Sequence, residues 1–195
     1  MYKRQTAAGR SRPEIAGAGP AAEALERRSL PPYSPRLARA EDAEAIRRIY
    51  NREVTDSTAT FDLVPRSAED QLRWMADHAG AYAAVVAVDD TTGAIAGFAS
   101  LSPYRTRPGY STTVEDSVYV DADHRAAGVG RLLLTEVVRL AEASGFHAVM
   151  ARISGAQEPS LALHRSCGFG LVGVEREVGR KFGRWLDVAL MQRLL

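Results

Sequence analysis

A chain of 195 residues, 46% hydrophobic and 25% charged, has the profile of an ordinary globular protein with one core and room for an appendage. No run approaches the roughly 18 to 20 apolar residues of a membrane helix, and the first residues carry no apolar signal core, which predicts a cytoplasmic protein with no membrane partner. A lone cysteine, Cys167, excludes an internal disulfide, and with no Cys/His cluster at ligand spacing no metal is expected.

The formal net charge of +1 hides an asymmetry. Residues 1 to 39 carry 8 Lys or Arg against 3 Glu, leaving 17 against 21 acids for the remainder. A mildly acidic folded part argues against a nucleic-acid surface, where basic residues would cluster on the domain itself. Residues 1–35, rich in Ala, Gly, Pro and Ser and poor in hydrophobic periodicity, read as a disordered extension, and residues 36–195 as one domain.

In chain order, Arg36 to Arg39 reads as a short strand, followed by a helix with Ile46, Ile49, Tyr50 and Val54 on its inner stripe. Ser67 has the character of an N-cap for a second helix that turns Leu72, Trp74 and Met75 inward and stops near Gly80. Tyr82 to Val88 and Ala94 to Leu101 alternate as strands around a turn-rich connection, and a third strand spans Thr113 to Asp121. Gly130 to Ser144 forms a helix with Leu132, Leu133, Val137, Leu140 and Ala141 inward. Then come a strand from His147 to Ile153, a short helix from Ser160 to Ser166, and strands from Phe169 to Val178 and Trp185 to Leu194. The order β-α-α-β-β-β-α-β-α-β-β predicts an α/β fold of the α+β kind, a mixed sheet with helices on both faces.

Between the third strand and its helix lies Arg125-Ala126-Ala127-Gly128-Val129-Gly130. Amides at a helix start are unpaired and the helix dipole is positive there, so such a turn can hold a pyrophosphate, with Gly128 and Gly130 removing Cβ atoms that would obstruct it. Arg125 either adds charge or braces the loop. An ordinary strand-to-helix turn is the plainer reading of the same six residues. The motif lacks the GK[ST] of a Walker loop and the third Gly of a dinucleotide fingerprint.

With this turn the sequence resembles the GNAT superfamily of N-acetyltransferases, whose Q/R-x-x-G-x-G/A motif grips coenzyme A. Thr113-Val114-Glu115-Asp116-Ser117-Val118-Tyr119-Val120, Ser160-Leu161-Ala162-Leu163-His164 and Val178 to Asp187 are similar to its phosphinothricin acetyltransferase branch, as are Ile49-Tyr50-Asn51 and Ser57 to Phe61 near the N-terminal substrate region. The resemblance covers about residues 36 to 193. It implies a GNAT fold with a mostly antiparallel, twisted sheet and a splayed strand pair, acetyl-CoA as co-substrate, a small-molecule amine acceptor and a homodimer. Val118, Tyr119 and Val120 are then expected to pair with pantetheine, and Ala126, Ala127, Gly128, Val129, Gly130 and Arg131, beside Arg125, to meet the phosphates. Gln157 stands where the branch usually has Asn.

For the acceptor side the resemblance marks Glu115 as general base and Arg105 as the partner of an acidic group, with Thr106, Arg107, Asp116 and Ser117 beside them. A neutral amine must attack the thioester, and partial burial raises a carboxyl's pKa toward the range where it accepts that proton. The plain alternative for Glu115 is a strand-edge carboxylate paired to an arginine. His164 takes the place of a tyrosine near the departing sulfur, as proton donor or as a packing residue. Lys181 and Trp185 are read as wall or dimer residues. Two functional alternatives stand beside acetyl transfer to an amino-acid-like acceptor: an N-acetyltransferase for another small amine, and a non-catalytic acyl-CoA sensor.

Overall fold

A computed structural model describes residues 32–155 and 157–195, so the expectation of disorder at the N-terminus falls, up to residue 31, outside the described residues. Among the described residues seven strands form one sheet in the order β1-β2-β3-β4-β5-β7-β6. They are β1 (Tyr33–Leu37), β2 (Ala84–Asp89), β3 (Ile95–Pro103), β4 (Thr113–Val120), β5 (Ala148–Ser154), β6 (Gly170–Lys181) and β7 (Arg184–Leu194). Among the described residues four α-helices accompany them: α1 (Ala43–Asp56), α2 (Ala68–Asp77), α3 (Val129–Ala143) and α4 (Glu158–Ser166). The element order is the one the sequence predicts. Every strand contact is antiparallel except β4 with β5.

The chain joins the sheet at Tyr33, earlier than Arg36, because Tyr33 to Leu37 pair with Asp89 to Val85. At the far edge β6 runs three residues past the expected Val178. A bulge between Glu175 and Gly179 keeps it against β7, with Glu177 in the left-handed region at φ 52°. Ser67 caps α2 in a capping box, accepting from the Asp70 amide at 3.1 Å while its own amide donates to the Asp70 carboxylate at 3.2 Å. The inner stripe of α2 differs from the expected one. Gln71 is buried and Leu72 is 58% exposed, because the helix meets α1 through Gln71, Trp74 and Met75, and Leu72 falls on the outer face.

Alternation along the strands assigns each side chain to one of two cores. α3 packs Leu133, Leu134, Val137, Val138 and Ala141 onto one face, together with Val114, Val149 and Ala151 of the sheet. On the opposite face Ile46, Ile49, Tyr50 and Val54 of α1 meet Val86 and Phe98, with Tyr119 against them. Odd-numbered residues of β4 therefore face α1 and α2, and even-numbered ones face α3 and α4.

Candidate active site

β4 and β5 touch over only three register pairs, Thr113 with Ala148, Val114 with Val149 and Glu115 with Met150. Beyond that point β4 stays with β3 as far as Val120, while β5 leaves with β7 as far as Ser154. The sheet thus opens like a V. Backbone groups of Asp116 to Val120 that point away from β3 have no strand partner across the gap, an edge that a ligand can complete by adding a strand. The opening is the mouth of a cleft of about 830 Å³ lined on the β4 side by Glu115 through Val120.

At the wide end sits the glycine turn. Gly128, at φ +85°, is in a backbone conformation that side chains rarely adopt, and Ala126 shares it at 60°. The first helical bond runs from the Leu132 amide to the Gly128 carbonyl at 3.1 Å, so the amides ahead of it have no intrahelical acceptor. Gly130 serves packing as well as access: a Cβ there would lie 3.1 Å from Leu163 of α4. Arg125, Ala126, Gly128, Val129, Gly130 and Arg131 line the cleft, as does Gln157, whose side-chain amide donates to Thr58 Oγ1 at 3.3 Å. Ala127 is the one expected turn residue off the wall. Of the two roles open to Arg125, the structure shows the brace: its guanidinium is ion-paired to the buried Glu53 of α1, which also accepts from Ser57 Oγ. A cradle of free amides with positive dipole and no obstructing Cβ fits a pyrophosphate, and the strand gap beside it fits an amide-bearing arm.

Glu115 lies where the strands part, on the α1/α2 face. Burial, the dominant cause, and the nearby Asp116 and Glu175 charges push its carboxyl up to about 7, against the opposing pull of Arg152 and Arg105. Arg152 lies on the same face, two residues beyond the Met150 that pairs with Glu115. Its guanidinium crosses β7 to donate to Glu175 Oε2 at 2.8 Å. The roof is the segment from Ser57 to Phe61. The Ser154 hydroxyl donates to the Thr58 carbonyl, the buried Lys181 Nζ donates to the Thr60 carbonyl at 2.8 Å and the Glu53 carbonyl at 3.2 Å, and the Phe61 ring lies against Gly179, where a Cβ would come within 2.3 Å of it.

Asp116 points the other way. It is buried on the α3/α4 face with Oδ2 3.1 Å from His164 Nε2, while His164 Nδ1 lies 2.7 Å from the Ser160 carbonyl. A carbonyl only accepts, so Nδ1 carries a proton, and a charged Asp116 requires one on Nε2 as well. Burial pulls the imidazole pKa down, but the hydrogen bond and charge of Asp116 and the Ser160 carbonyl outweigh it and leave the pKa above its usual value. Both ring nitrogens are engaged, so His164 has no free lone pair to act as a base. Asp116, expected beside the acceptor, is a partner of His164 instead, because strand alternation turns it from Glu115.

Arg105, Thr106 and Arg107 are exposed on the β3–β4 connection and are not on the cleft wall, whereas Ser117 is. Arg105 lies over the Tyr104 ring at 4.9 Å and acts on Glu115 only through its charge. The site residues that sequence reasoning missed are Glu53, Arg152 and Glu175. Arg152 carried a signal, a lone charge inside an otherwise apolar strand, while Glu53 and Glu175 carried none.

The chain's likeness to known proteins is extensive. A family profile described as an acetyltransferase (GNAT) domain matches residues 36–190. The chain is 40% identical over 157 residues to the phosphinothricin N-acetyltransferase of Streptomyces coelicolor, across 80% of this chain and 92% of that one. It is 36% identical over 151 residues to the L-methionine sulfoximine/L-methionine sulfone acetyltransferase of Pseudomonas aeruginosa, across 77% and 88%. The crystal structure of a GNAT superfamily phosphinothricin acetyltransferase from Sinorhizobium meliloti in complex with acetyl-CoA superposes with a TM-score of 0.80 at 41% identity, over 84% of this chain and 89% of that one.

Proposed function

Since the chain belongs to the GNAT family and is an acetyl-CoA-dependent N-acetyltransferase, we propose that it acetylates the amino group of a small amino-acid-like acceptor of the phosphinothricin, methionine sulfoximine or methionine sulfone type, with Glu115 as general base. The observation that carries this reading is Glu115 itself, a carboxyl held at the branch of the V with its pKa raised to about 7. A free α-amine is mostly protonated at neutral pH, and a base titrating near pH 7 is matched to removing that proton. Acetyl-CoA supplies the activated acetyl group as a thioester. Val118 to Val120 align its pantetheine arm by backbone pairing, and residues 126 to 131 hold its phosphates with amides and the α3 dipole. Gln157 helps to fix the arm beside Thr58. His164, held by Asp116 and the Ser160 carbonyl, packs on the coenzyme face of the cleft beside the departing sulfur.

Ser117 flanks the acceptor on the Glu115 face. Arg105, Thr106 and Arg107 contribute from the rim, where Arg105 adds positive potential toward an acidic acceptor. A sensor that only bound acyl-CoA would have no use for a desolvated carboxylate at the point of transfer, and no observation favours a different amine class. The fold proper is assigned to residues 32–195, with the preceding segment dispensable for catalysis and the protein cytoplasmic. A homodimer is supported by the apolar side chains of Leu171, Val172, Val174 and Trp185, exposed along β6 and β7.

The test is a thiol-release assay with acetyl-CoA against α-amino acids, their sulfone, sulfoximine and phosphinate analogues, and unrelated amines. Turnover confined to the amino-acid class supports the proposal, and turnover only with amines lacking an acidic group contradicts it.

A further inference from the structure

Three cationic arginines line the cleft, and two of them lie at the glycine-turn end: Arg125, ion-paired to Glu53, and Arg131, in the first turn of α3. The third, Arg152, is the one arginine among the described lining residues that shares a sheet face with Glu115. It is anchored on β5, whose backbone is paired to β7 over its whole length, so its Cα is fixed while the side chain reaches across Val188 toward β6. Side chains of Arg152 and Glu175 are 29% and 31% exposed, so the pair is not sealed in the core, and Arg152 itself lines the cleft. The contact is single: one N–H of the five on the guanidinium meets one oxygen of Glu175. The remaining donors keep the planar fork that matches a carboxylate or a phosphinate. A partly exposed ion pair with a single contact is worth little by itself, so an incoming anion displaces it at small cost.

We infer that Arg152 is the specificity-determining residue for the acceptor's acidic group, its guanidinium exchanging Glu175 for the carboxylate or phosphinate of a substrate whose amine faces Glu115. The inference rests on the amino-acid-like acceptor proposed above and deepens it by naming the residue that reads the acid. Glu175 then acts as a stand-in anion that holds the guanidinium in place when the acceptor is absent and competes with it when present. Arg105, over Tyr104 at the rim, draws acids inward without contacting them.

The experiment compares methionine sulfone with its carboxamide, which keeps the amine and loses the acid, in the wild type, Arg152→Met, Arg152→Lys and Glu175→Gln. A charge-assisted pair of about 1.5 to 3 kcal/mol corresponds to roughly a 10- to 100-fold rise in KM for the acid in Arg152→Met, with little change for the amide. Arg152→Lys should restore part of the preference. Glu175→Gln should lower KM for the acid, a gain that no purely structural ion pair would give. Loss of Arg152 also alters the charge at Glu115, which affects both substrates alike, so the acid-to-amide ratio isolates recognition. An unchanged ratio in Arg152→Met, with both substrates turned over, overturns the inference alone. Turnover of neither substrate by the wild type overturns the functional reading and with it the inference.

Discussion

The two ends of the cleft are made of different material. At the end proposed for the coenzyme the cleft is lined by the backbone of β4 and of the turn around Gly128 and Gly130, and the glycines matter for what they leave out. At the end proposed for the acceptor the groups are side chains, Glu115, Arg152 and Phe61, brought from separate segments of the chain, with Arg152 held by its ion pair to Glu175 and Phe61 packed on Gly179. A backbone cradle tolerates most substitutions and fails when bulk is added. A side-chain site fails, or changes specificity, when one charge is altered. One fold can therefore keep its donor while its acceptor drifts.

The largest break is expected from Glu115→Gln. It should lower kcat at pH 7 by about 10²- to 10⁴-fold while leaving acetyl-CoA affinity, measured by calorimetry, unchanged. The same variant should gain stability. In the fold the carboxyl pKa is raised from 4.5 to about 7, so the native state keeps a proton that the unfolded chain releases across that window, and wild-type stability falls as pH rises through it. Glu115→Gln removes this fall, up to about 3 kcal/mol at pH 8 less whatever solvent screening takes away, readable by urea denaturation at pH 5 and pH 8.

Next in size is Gly130→Glu, which puts a carboxylate against the phosphates and a Cβ 3.1 Å from Leu163. The acetyl-CoA Kd should rise on the order of 10- to 100-fold, the worth of one or two charge-assisted hydrogen bonds. A thermal melt checks that the variant folds. Gly179→Ala belongs to the other end. Its Cβ would overlap the Phe61 ring, so the ring must shift and the acceptor KM should change by about tenfold or less, with coenzyme affinity constant. Smallest of all, deleting residues 1–30 should leave kcat and KM within error, whereas cutting through Leu37 removes the Tyr33 hydrogen bond to His124 and all five pairs of the β1–β2 ladder.

The same contrast explains what was legible in the sequence. Strand and helix order followed from hydrophobic period, and the coenzyme turn is a single run of six residues whose local chemistry can be read without a partner. Glu115 stood out because it lies inside a family motif on β4. Asp116 could be separated from it only by knowing which face each side chain takes, and the resemblance alone put both beside the acceptor. Leu72 and Gln71 exchanged places because an inner stripe read one residue off still looks amphipathic. Arg152 and Glu175 lie on β5 and β6, and their pairing depends on β7 inserting between those strands, a crossover that no local pattern encodes, while Glu53 reaches the cleft from α1 through Arg125.

The most direct test of Glu115 as base is the pH dependence of kcat/KM for methionine sulfone below the pKa of its amine. In the wild type Glu115 takes the proton of the acceptor's ammonium, so only Glu115 must be deprotonated beforehand, and log kcat/KM should rise with a slope near 1 at low pH and level off around pH 7. Glu115→Gln should follow a single slope near 1 across the whole range. A variant that keeps the bend near pH 7 with wild-type rates would contradict the account and assign the proton to another acceptor.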